Sequence, residues 1–229
     1  NTYLEGMAGR LSHELRTPIA VVRSSLENLR ASQSADEAQT YLLRAEEGLA
    51  RLSTILARMS EASRLEQSLA SASRETFDAA ALVQSCVDGY RLAYAPRAFE
   101  LLLPKAGALV HGAPDLLAQM LDKLVENAAD FAVPDTPVRI TLSRAGERVV
   151  LRVENEGQPL LEEIRESLFD SMLSLRSGPS NGVPHLGLGL YIARLIAEHH
   201  GGELHAENLA SGRGVAFEAS LKWAADPVV

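Results

Sequence analysis

The feature that most constrains this chain is a pair of helix-like patterns of apolar residues between Leu4 and Leu69. In the first, apolar residues recur at steps of three and four: Leu4, Met7, Leu11, Leu15, Ile19, Val22, Leu26 and Leu29. A polar stretch at 31–36 interrupts the pattern, and a second one of the same kind follows: Leu42, Ala45, Leu49, Leu52, Leu56, Met59, Ala62, Leu65 and Leu69. Such steps place apolar side chains on one face of an α-helix. The patterns therefore predict two antiparallel helices joined by a short turn.

Two helices alone cannot cover their own apolar stripes. Half of each stripe would remain in water, whereas a second copy of the hairpin would bury it in a four-helix bundle. We therefore expect a homodimer. Hydrophobic residues make up 46% of the chain and aromatic residues only 5%, so the apolar mass is mostly of helix-forming types and suffices for a sizeable core.

The second part of the chain has a different pattern. A stretch rich in small polar residues follows the hairpin and indicates a linker. Helical patterns then alternate with segments of β-branched residues, which predicts helices packed on one face of a mixed sheet, an α/β sandwich. The predicted helices are 78–93, 114–131 and 188–199, and the predicted strands are 99–103, 138–142, 149–153, 203–208 and 214–221. The predicted domains are a hairpin at 1–68, a linker at 69–76 and the sandwich at 77–223.

Charge and composition exclude several classes of function. The chain has 22 Lys+Arg against 30 Asp+Glu, a net charge of −8, which disfavours nucleic acid as a partner. The single cysteine, Cys86, excludes an internal disulfide. The sequence has no stretch that is apolar and long enough to span a bilayer. Because it starts without Met inside a helical pattern, we expect it to be a piece of a longer protein.

One short run in the first helix has the residues for phosphoryl chemistry. His13 lies between two apolar positions, so its imidazole is predicted to face solvent, with Thr17 one turn further along the same face. Pro18 lacks the N–H that would bond the carbonyl of Glu14, which predicts a bend just past the histidine. A neutral imidazole can attack phosphorus when a carboxylate accepts its other proton, and Glu14 is the nearest candidate.

This run, His13-Glu14-Leu15-Arg16-Thr17-Pro18, resembles the phosphoacceptor box of bacterial sensor histidine kinases. The resemblance implies that His13 receives the γ-phosphate of ATP and that Glu14 assists proton transfer. It also implies that Thr17 helps to place a water molecule for dephosphorylation of the partner response regulator.

A second segment, Asp122 to Phe131, is similar to the asparagine box of the same family's ATP-binding domain. The resemblance implies that Asn127 is a magnesium ligand, and an amide oxygen is a hard donor suited to Mg²⁺. The family pattern usually has Asn four residues before this ligand and Lys three residues after it. This chain has Lys123 and Asp130 at those positions. Because both positions project from one helix face, we predict that Lys123 supplies the cation to the nucleotide.

A third segment, Pro184 to Ala193, resembles the second glycine box of the ATP-binding fold. The resemblance implies that Gly187, Leu188 and Gly189 bind phosphate through backbone N–H groups at a helix N-terminus. The preceding segment, 171–185, would be a lid over the nucleotide. Within it Arg176 either reaches a phosphate or is a solvated loop charge. Phe169 either anchors the start of the lid or packs in the core.

The chain departs from the family at the adenine loop. Where the family has Asp-x-Gly-x-Gly, this sequence has Asn155 at the aspartate, Gly157 at the first glycine and Pro159 at the second. An amide oxygen accepts a hydrogen bond from the adenine amino group without charge assistance, which predicts adenine binding weaker by about 1–2 kcal/mol. Whether Glu154 or Glu156 replaces the missing carboxylate stays open.

Taken over the chain, the resemblance implies a dimeric helical hairpin followed by a Bergerat-type ATP-binding domain. It implies the cytoplasmic portion of a bacterial inner-membrane sensor, which uses ATP and Mg²⁺ to phosphorylate His13 and passes the phosphoryl group to an aspartate of a response regulator. Two alternatives stay open because of the altered adenine loop. One is a weak kinase that acts mainly as a phosphatase through Thr17, and the other is a non-catalytic dimeric scaffold.

Overall fold

The computed structural model describes residues 2–165, 168–169 and 188–224, and it describes the backbone alone at 2–14 and at several later helical positions. The described residues fall into two compact units that divide between Arg64 and Leu65. Each unit corresponds to a different part of the sequence pattern.

The first unit contains the predicted helical hairpin. Helix α1 spans Thr2–Ala31, and helix α2 starts at Ala35. Ser34 caps α2, because its Oγ accepts a hydrogen bond from the Glu37 backbone N–H at 3.2 Å. The Glu37 carboxylate accepts in return from the Gln33 N–H at 3.3 Å, which completes a reciprocal cap of the helix start. The prediction of two helices joined by a short turn is confirmed.

The two helices approach each other closely near the middle of α1. A Cβ atom on Gly48 of α2 would lie 2.6 Å from Val22 Cγ2 and 3.3 Å from the Pro18 carbonyl oxygen on α1. Ser25 and Ala45 are also buried in this region. The absence of a side chain at Gly48 is therefore what allows the helices to pack so tightly beside Pro18.

The end of α2 differs from the prediction. Helix α2 continues to Ser71 and strand β1 begins at Glu75, so only Ala72–Arg74 separate them within the predicted linker at 69–76. The loss of apolar period near Gln67 does not end the helix, because Ala is a strong helix former and Ser a tolerated one. The domain boundaries themselves stay a prediction.

The second unit is a mixed sheet with helices. Its elements are β1 Glu75–Asp78, α3 Ala79–Ala93, β2 Phe99–Leu102, β3 Leu109–Gly112, α4 Pro114–Phe131, β4 Val138–Ala145, β5 Arg148–Asn155, α5 Glu162–Arg165, α6 Leu188–His199, β6 Glu203–Asn208 and β7 Val215–Lys222. The main sheet has five strands in the order β2-β4-β5-β7-β6; β2 is parallel to β4 and the other neighbours are antiparallel. Strands β1 and β3 form a separate antiparallel pair that was not predicted from the sequence.

The two faces of the sheet have opposite character. On one face, the cross-strand neighbours Ile140, Val153 and Phe217 are buried, and helices α3, α4 and α6 contact the strands. On the other face, Arg139 pairs with Glu100 at 2.8 Å and Arg152 with Glu207 at 2.6 Å. The alternation follows from the two-residue period of a strand. The predicted α/β sandwich is confirmed.

A buried histidine fixes α4 and α6 relative to each other. His200, directly after α6, accepts a hydrogen bond at Nε2 from the Ala113 N–H at 3.1 Å. Its Nδ1 lies 2.8 Å from the Ile196 carbonyl oxygen, to which it donates in the neutral tautomer that this pair of bonds requires. Burial lowers the pKa of His200, which keeps the ring neutral.

Candidate functional site

The first candidate site lies on α1. His13 and Glu14 lie in the helical backbone, and their side chains are not described, so the predicted proton transfer between them stays a prediction. Thr17 is exposed and Pro18, the next residue, is buried. The helix continues past Pro18 to Ala31, so the proline does not end it.

A groove of ≈ 560 Å³ lies beside Thr17 within the first unit. Its walls carry two guanidinium groups together with hydroxyl and amide groups, so it presents positive charge and hydrogen-bond donors. Such a lining suits an acidic partner surface. The lining residues are Arg16, Thr17, Ala20, Val21, Ser24, Ser25, Asn28, Tyr41 and Arg44.

The second candidate site lies where α4 packs on α6. Asn127 is half-buried on α4, and Lys123 lies one turn before it with a side chain that is 20% exposed. A Cβ atom on Gly189, near the start of α6, would lie 3.8 Å from Lys123 Cδ. The Lys123 ammonium lies 3.4 Å from Glu126 Oε2. The structure therefore brings Lys123 and Gly189 together, as a shared anion site would require.

Some predicted residues of this site cannot be placed. Gly187 and Arg176 lie outside the described residues, as does the whole of the predicted lid at 171–185. Leu188 is the first residue of α6, which confirms the start predicted for this helix. Phe169 is buried and packs edge-on against Phe217 with ring centroids 6.5 Å apart, which favours core packing.

Asn155 ends β5 on the buried face of the sheet. Its strand partners are Val138 and Val215, and the residue is only 3% exposed. Glu154, one position earlier, points to the opposite face and pairs with Arg152 at 2.8 Å. Strand alternation therefore excludes Glu154 as a substitute for the missing aspartate.

The loop after Asn155 is fastened to the end of α4. The Val133 N–H donates to the Glu156 carbonyl oxygen at 2.8 Å, and Ala132 and Gly157 form an isolated β-bridge. A Cβ atom on Gly157 would lie 2.4 Å from the Phe131 carbonyl oxygen, so this position requires glycine. The end of α4, one turn beyond Asn127, is therefore held against the loop that follows Asn155.

One residue that supports this loop was not predicted from the sequence. The side chain of Asn208, at the end of β6, accepts from the Leu160 N–H at 2.7 Å and donates to the Leu160 carbonyl oxygen at 2.9 Å. These bonds fix the segment that follows the adenine loop. No signal in the sequence links the two residues, because they are far apart along the chain.

The described residues contain no group of three or more His, Cys, Asp or Glu side chains that could hold a metal ion. No helix in the described part of the chain is long and apolar enough to cross a membrane.

Comparisons with known proteins match both parts of the chain. The His Kinase A (phospho-acceptor) domain family matches residues 3–68, and the histidine kinase-, DNA gyrase B- and HSP90-like ATPase family matches residues 112–225. The sensor protein ChvG of Agrobacterium fabrum is 31% identical over 221 residues, which cover 93% of this chain. The chain belongs to the sensor histidine kinase family.

Other relatives support the same family assignment. ChvG of Rhizobium meliloti is also 31% identical and covers 92% of the chain. The chain spans little more than a third of these relatives, 37% and 38% of their lengths.

Among solved structures, the Acinetobacter baumannii histidine kinase AdeS has a TM-score of 0.58 at 22% identity and covers 92% of this chain, with 97% of its own chain matched. Histidine kinase ThkA in complex with response regulator protein TrrA has a TM-score of 0.65 at 22% identity, over 97% of this chain and 63% of its own.

Proposed function

We propose that this chain is the catalytic portion of a sensor histidine kinase that phosphorylates its own His13 from ATP. The observation that carries the proposal is the packing of α4 on α6, which brings Lys123 to Gly189 in a chain whose first helix contains the phosphoacceptor box. One family match includes the first helix, at residues 3–68, and the other includes α4 and α6, at residues 112–225.

The nucleotide binds around α4 and the start of α6. Backbone N–H groups of Gly187, Leu188 and Gly189 meet the phosphates at the positive end of the α6 dipole, with Arg176 as a further cation. Lys123 supplies charge from the α4 side. Mg²⁺, held by the Asn127 amide oxygen, would neutralise charge on the phosphate oxygens. Asn155 and Gly157 form the base-binding end of the site.

The chemistry is a phosphoryl transfer in two steps. A His13 ring nitrogen attacks the γ-phosphorus of ATP, the bond to the β-phosphate oxygen breaks and ADP leaves, while Glu14 accepts the proton from the other ring nitrogen. In the second step, an aspartate oxygen of the response regulator attacks the phosphorus and the N–P bond to His13 breaks. The products are a phosphoaspartate and the original histidine.

The groove beside Thr17 suits the response regulator. Its arginines complement an acidic receiver surface, and the exposed Thr17 hydroxyl can hold a water molecule for dephosphorylation of that partner. The family resemblance also supports a homodimer and a membrane-anchored parent protein of which this chain is the cytoplasmic part.

The test is incubation of the chain with Mg²⁺ and γ-labelled ATP, scored as acid-labile and base-stable label. We expect label in the parent, none in His13→Ala, and strongly reduced label in Asn127→Ala. His205→Ala is the matched control, because His205 is exposed on β6 and should leave labelling unchanged.

Absence of label in the parent would overturn the kinase assignment, and two further measurements would then separate the alternatives. Regulator dephosphorylation that is lost in Thr17→Ala would indicate a phosphatase. Absence of a thermal shift at millimolar ATP would indicate a scaffold that binds no nucleotide.

A further inference from the structure

One side chain at the end of β6 holds both backbone groups of a single loop residue. The Asn208 amide oxygen accepts a hydrogen bond from the Leu160 N–H at 2.7 Å, and its amide nitrogen donates to the Leu160 carbonyl oxygen at 2.9 Å. This pair of bonds, which we call the Asn208 clasp, reproduces the two-way pairing of neighbouring strands. It joins residues that lie 48 positions apart, so it fixes the loop to a distant part of the chain.

The start of the adenine loop, which we define as residues 155–159, is held by its neighbours on two sides. The Val133 N–H, just past the end of α4, donates to the Glu156 carbonyl oxygen at 2.8 Å. The turn between β6 and β7 packs on the same point, since a Cβ atom on Gly214 would lie 2.9 Å from Glu156 Cα. The first half of the loop is therefore fastened without help from Asn208.

The second half of the loop depends on the clasp. Only Gln158 and Pro159 separate Gly157, which packs against the end of α4, from Leu160. Pro159 fixes its own φ and restricts the residue before it to extended conformations. With Leu160 held by Asn208, this short stretch has few alternative conformations. Without the clasp, the Leu160 backbone groups would bond to water and the stretch would gain freedom.

We propose that Asn208 is a positioning residue for nucleotide binding, which keeps the adenine loop in its binding conformation before the nucleotide arrives. The inference rests on the proposed nucleotide function, in which this loop forms the base-binding end of the site. A loop that is ordered in advance loses little conformational freedom on binding, and this raises affinity without a new contact. Both ends of the Asn208 amide are used by Leu160, so Asn208 acts through the loop and not on the nucleotide.

Positioning and direct contact predict different changes in the rate constants of binding. When the loop is competent for only a fraction of the time, the apparent dissociation constant rises by the inverse of that fraction. The association rate constant then falls by the same factor, whereas the dissociation rate constant is unchanged because the bound complex keeps its contacts. Loss of a direct contact would instead raise the dissociation rate constant.

The first measurement is hydrogen exchange in the full chain without nucleotide. We expect the Leu160 amide to exchange about tenfold more slowly in the parent than in Asn208→Ala, because its N–H is bonded to the side chain that the variant removes. Equally fast exchange in the two proteins would show that the clasp is open in solution and would overturn the inference. This readout does not depend on nucleotide binding.

The second measurement is stopped-flow binding of a fluorescent ADP, which cannot phosphorylate His13. Asn208→Ala should weaken binding by about tenfold, all of it in the association rate constant. Asn208→Leu should behave in the same way. Leucine has nearly the shape of asparagine, makes no side-chain hydrogen bond and suits a strand better, so this variant keeps the fold if the alanine variant does not.

Ser211→Ala is the matched control. The Ser211 Oγ accepts a hydrogen bond from the Arg213 N–H at 3.3 Å, within the turn between β6 and β7. The substitution therefore removes a side-chain bond to the backbone near Asn208 and leaves the clasp in place. We expect it to change neither rate constant.

Two binding results overturn the inference alone. One is equal affinity of the parent and both Asn208 variants, and the other is a loss that lies in the dissociation rate constant, which would make Asn208 a direct contact. In both cases ADP binding by the parent leaves the proposed kinase function intact. A parent that binds no ADP overturns both the inference and the proposed nucleotide function, even where exchange at Leu160 is slow.

Discussion

Two buried polar residues in the second unit show how residue identity alone is ambiguous. His200 belongs to a His-Gly-Gly run that resembles part of the ATP-binding fold, yet both of its ring nitrogens are bonded to the backbone of α6 and of the residue before α4. Asn155 is equally buried, but its side chain makes a single hydrogen bond to the described residues, from Nδ2 to the Glu156 carbonyl oxygen. The same burial therefore makes one residue structural and the other a candidate for ligand binding.

The neutral state of His200 predicts a pH-dependent stability. Its pKa is lowered in the folded state by burial, whereas in the unfolded chain it is about 6.5, so the unfolded state binds the proton more readily. The stabilisation is complete above pH 6.5 and is lost as the pH falls toward the folded-state pKa. Urea unfolding between pH 6.5 and 5.5 should show a steeper loss in the parent than in His200→Gln, by up to about 1.4 kcal/mol per pH unit.

Gln is the informative replacement because it can still accept from the Ala113 N–H but does not titrate in this range. Parallel stability curves for the two proteins would show that the pKa of His200 is the same in the folded and unfolded states, and would contradict the prediction.

Gly112 packs against the ring of His200, so a larger residue at this position should clash with the ring. A Cβ atom there would lie 2.1 Å from His200 Cδ2, so Gly112→Ala must displace the ring and its bond to Ala113. We expect the free energy of unfolding to fall by about 1–3 kcal/mol, as for other overpacked core sites. Gly89→Ala is the control: it meets nothing within 4 Å on α3 and should raise stability by up to about 1 kcal/mol through helix propensity. Equal effects of the two changes would contradict the proposed packing.

At the scale of elements, the hairpin depends on one close approach between helices. Pro18 lies inside α1, where a proline commonly breaks a helix, yet α1 continues and packs against Gly48 of α2 at this level. The contact lies one residue beyond Thr17, so the packing also positions the exposed hydroxyl of the candidate phosphatase residue.

Gly48→Ala tests this packing because it should change the stability of the protein in two opposing ways. Alanine gains about 1 kcal/mol of helix propensity, but its Cβ would lie 2.6 Å from Val22 Cγ2, and overpacking costs about 1–3 kcal/mol. We expect net destabilisation in the parent and net stabilisation in a Val22→Ala background, where the clash is removed. Thermal unfolding of the parent, the two single variants and the double variant measures the sign of the Gly48→Ala effect on stability in each background. The same sign in both backgrounds would refute the close approach.

At the scale of the whole molecule, the first unit has apolar residues at heptad spacing without partners in the described chain. Ile19 and Leu26 on α1 and Leu42, Leu49 and Leu56 on α2 are 40–57% exposed. A stripe of this kind is typical of a helical bundle that requires a second copy. The pattern agrees with the homodimer expected from the sequence.

Leu49→Lys should therefore shift the chain from dimer to monomer, because a charge in the bundle core is costly to desolvate. Light scattering over a range of protein concentrations measures the mass. Leu92→Lys is the control, since Leu92 is 84% exposed on α3 outside the hairpin and its replacement should leave the mass unchanged. A parent that is monomeric at all concentrations would contradict the prediction.

Most helices and strands could be predicted from the sequence, because the apolar period that indicates them lies within a short stretch of the chain. The helices 114–131 and 188–199 agree with α4 and α6 at both ends, since their apolar periods are strong. Strands β1 and β3 were not predicted: four residues are too few to show a period by themselves, although the equally short β2 was predicted. The end of α2 was misjudged because small residues weaken the apolar period without ending a helix.

The sequence by itself determined the two-part architecture, the phosphoacceptor box and the two nucleotide-binding segments, because each of these depends on residues close together along the chain. Only the tertiary structure decided that Glu154 cannot replace the missing aspartate, that Lys123 meets Gly189 and that Asn208 holds Leu160. Those facts depend on which face of a strand a side chain occupies and on which helices pack together. Both are consequences of burying one apolar face in a shared core, which couples residues that are distant in sequence.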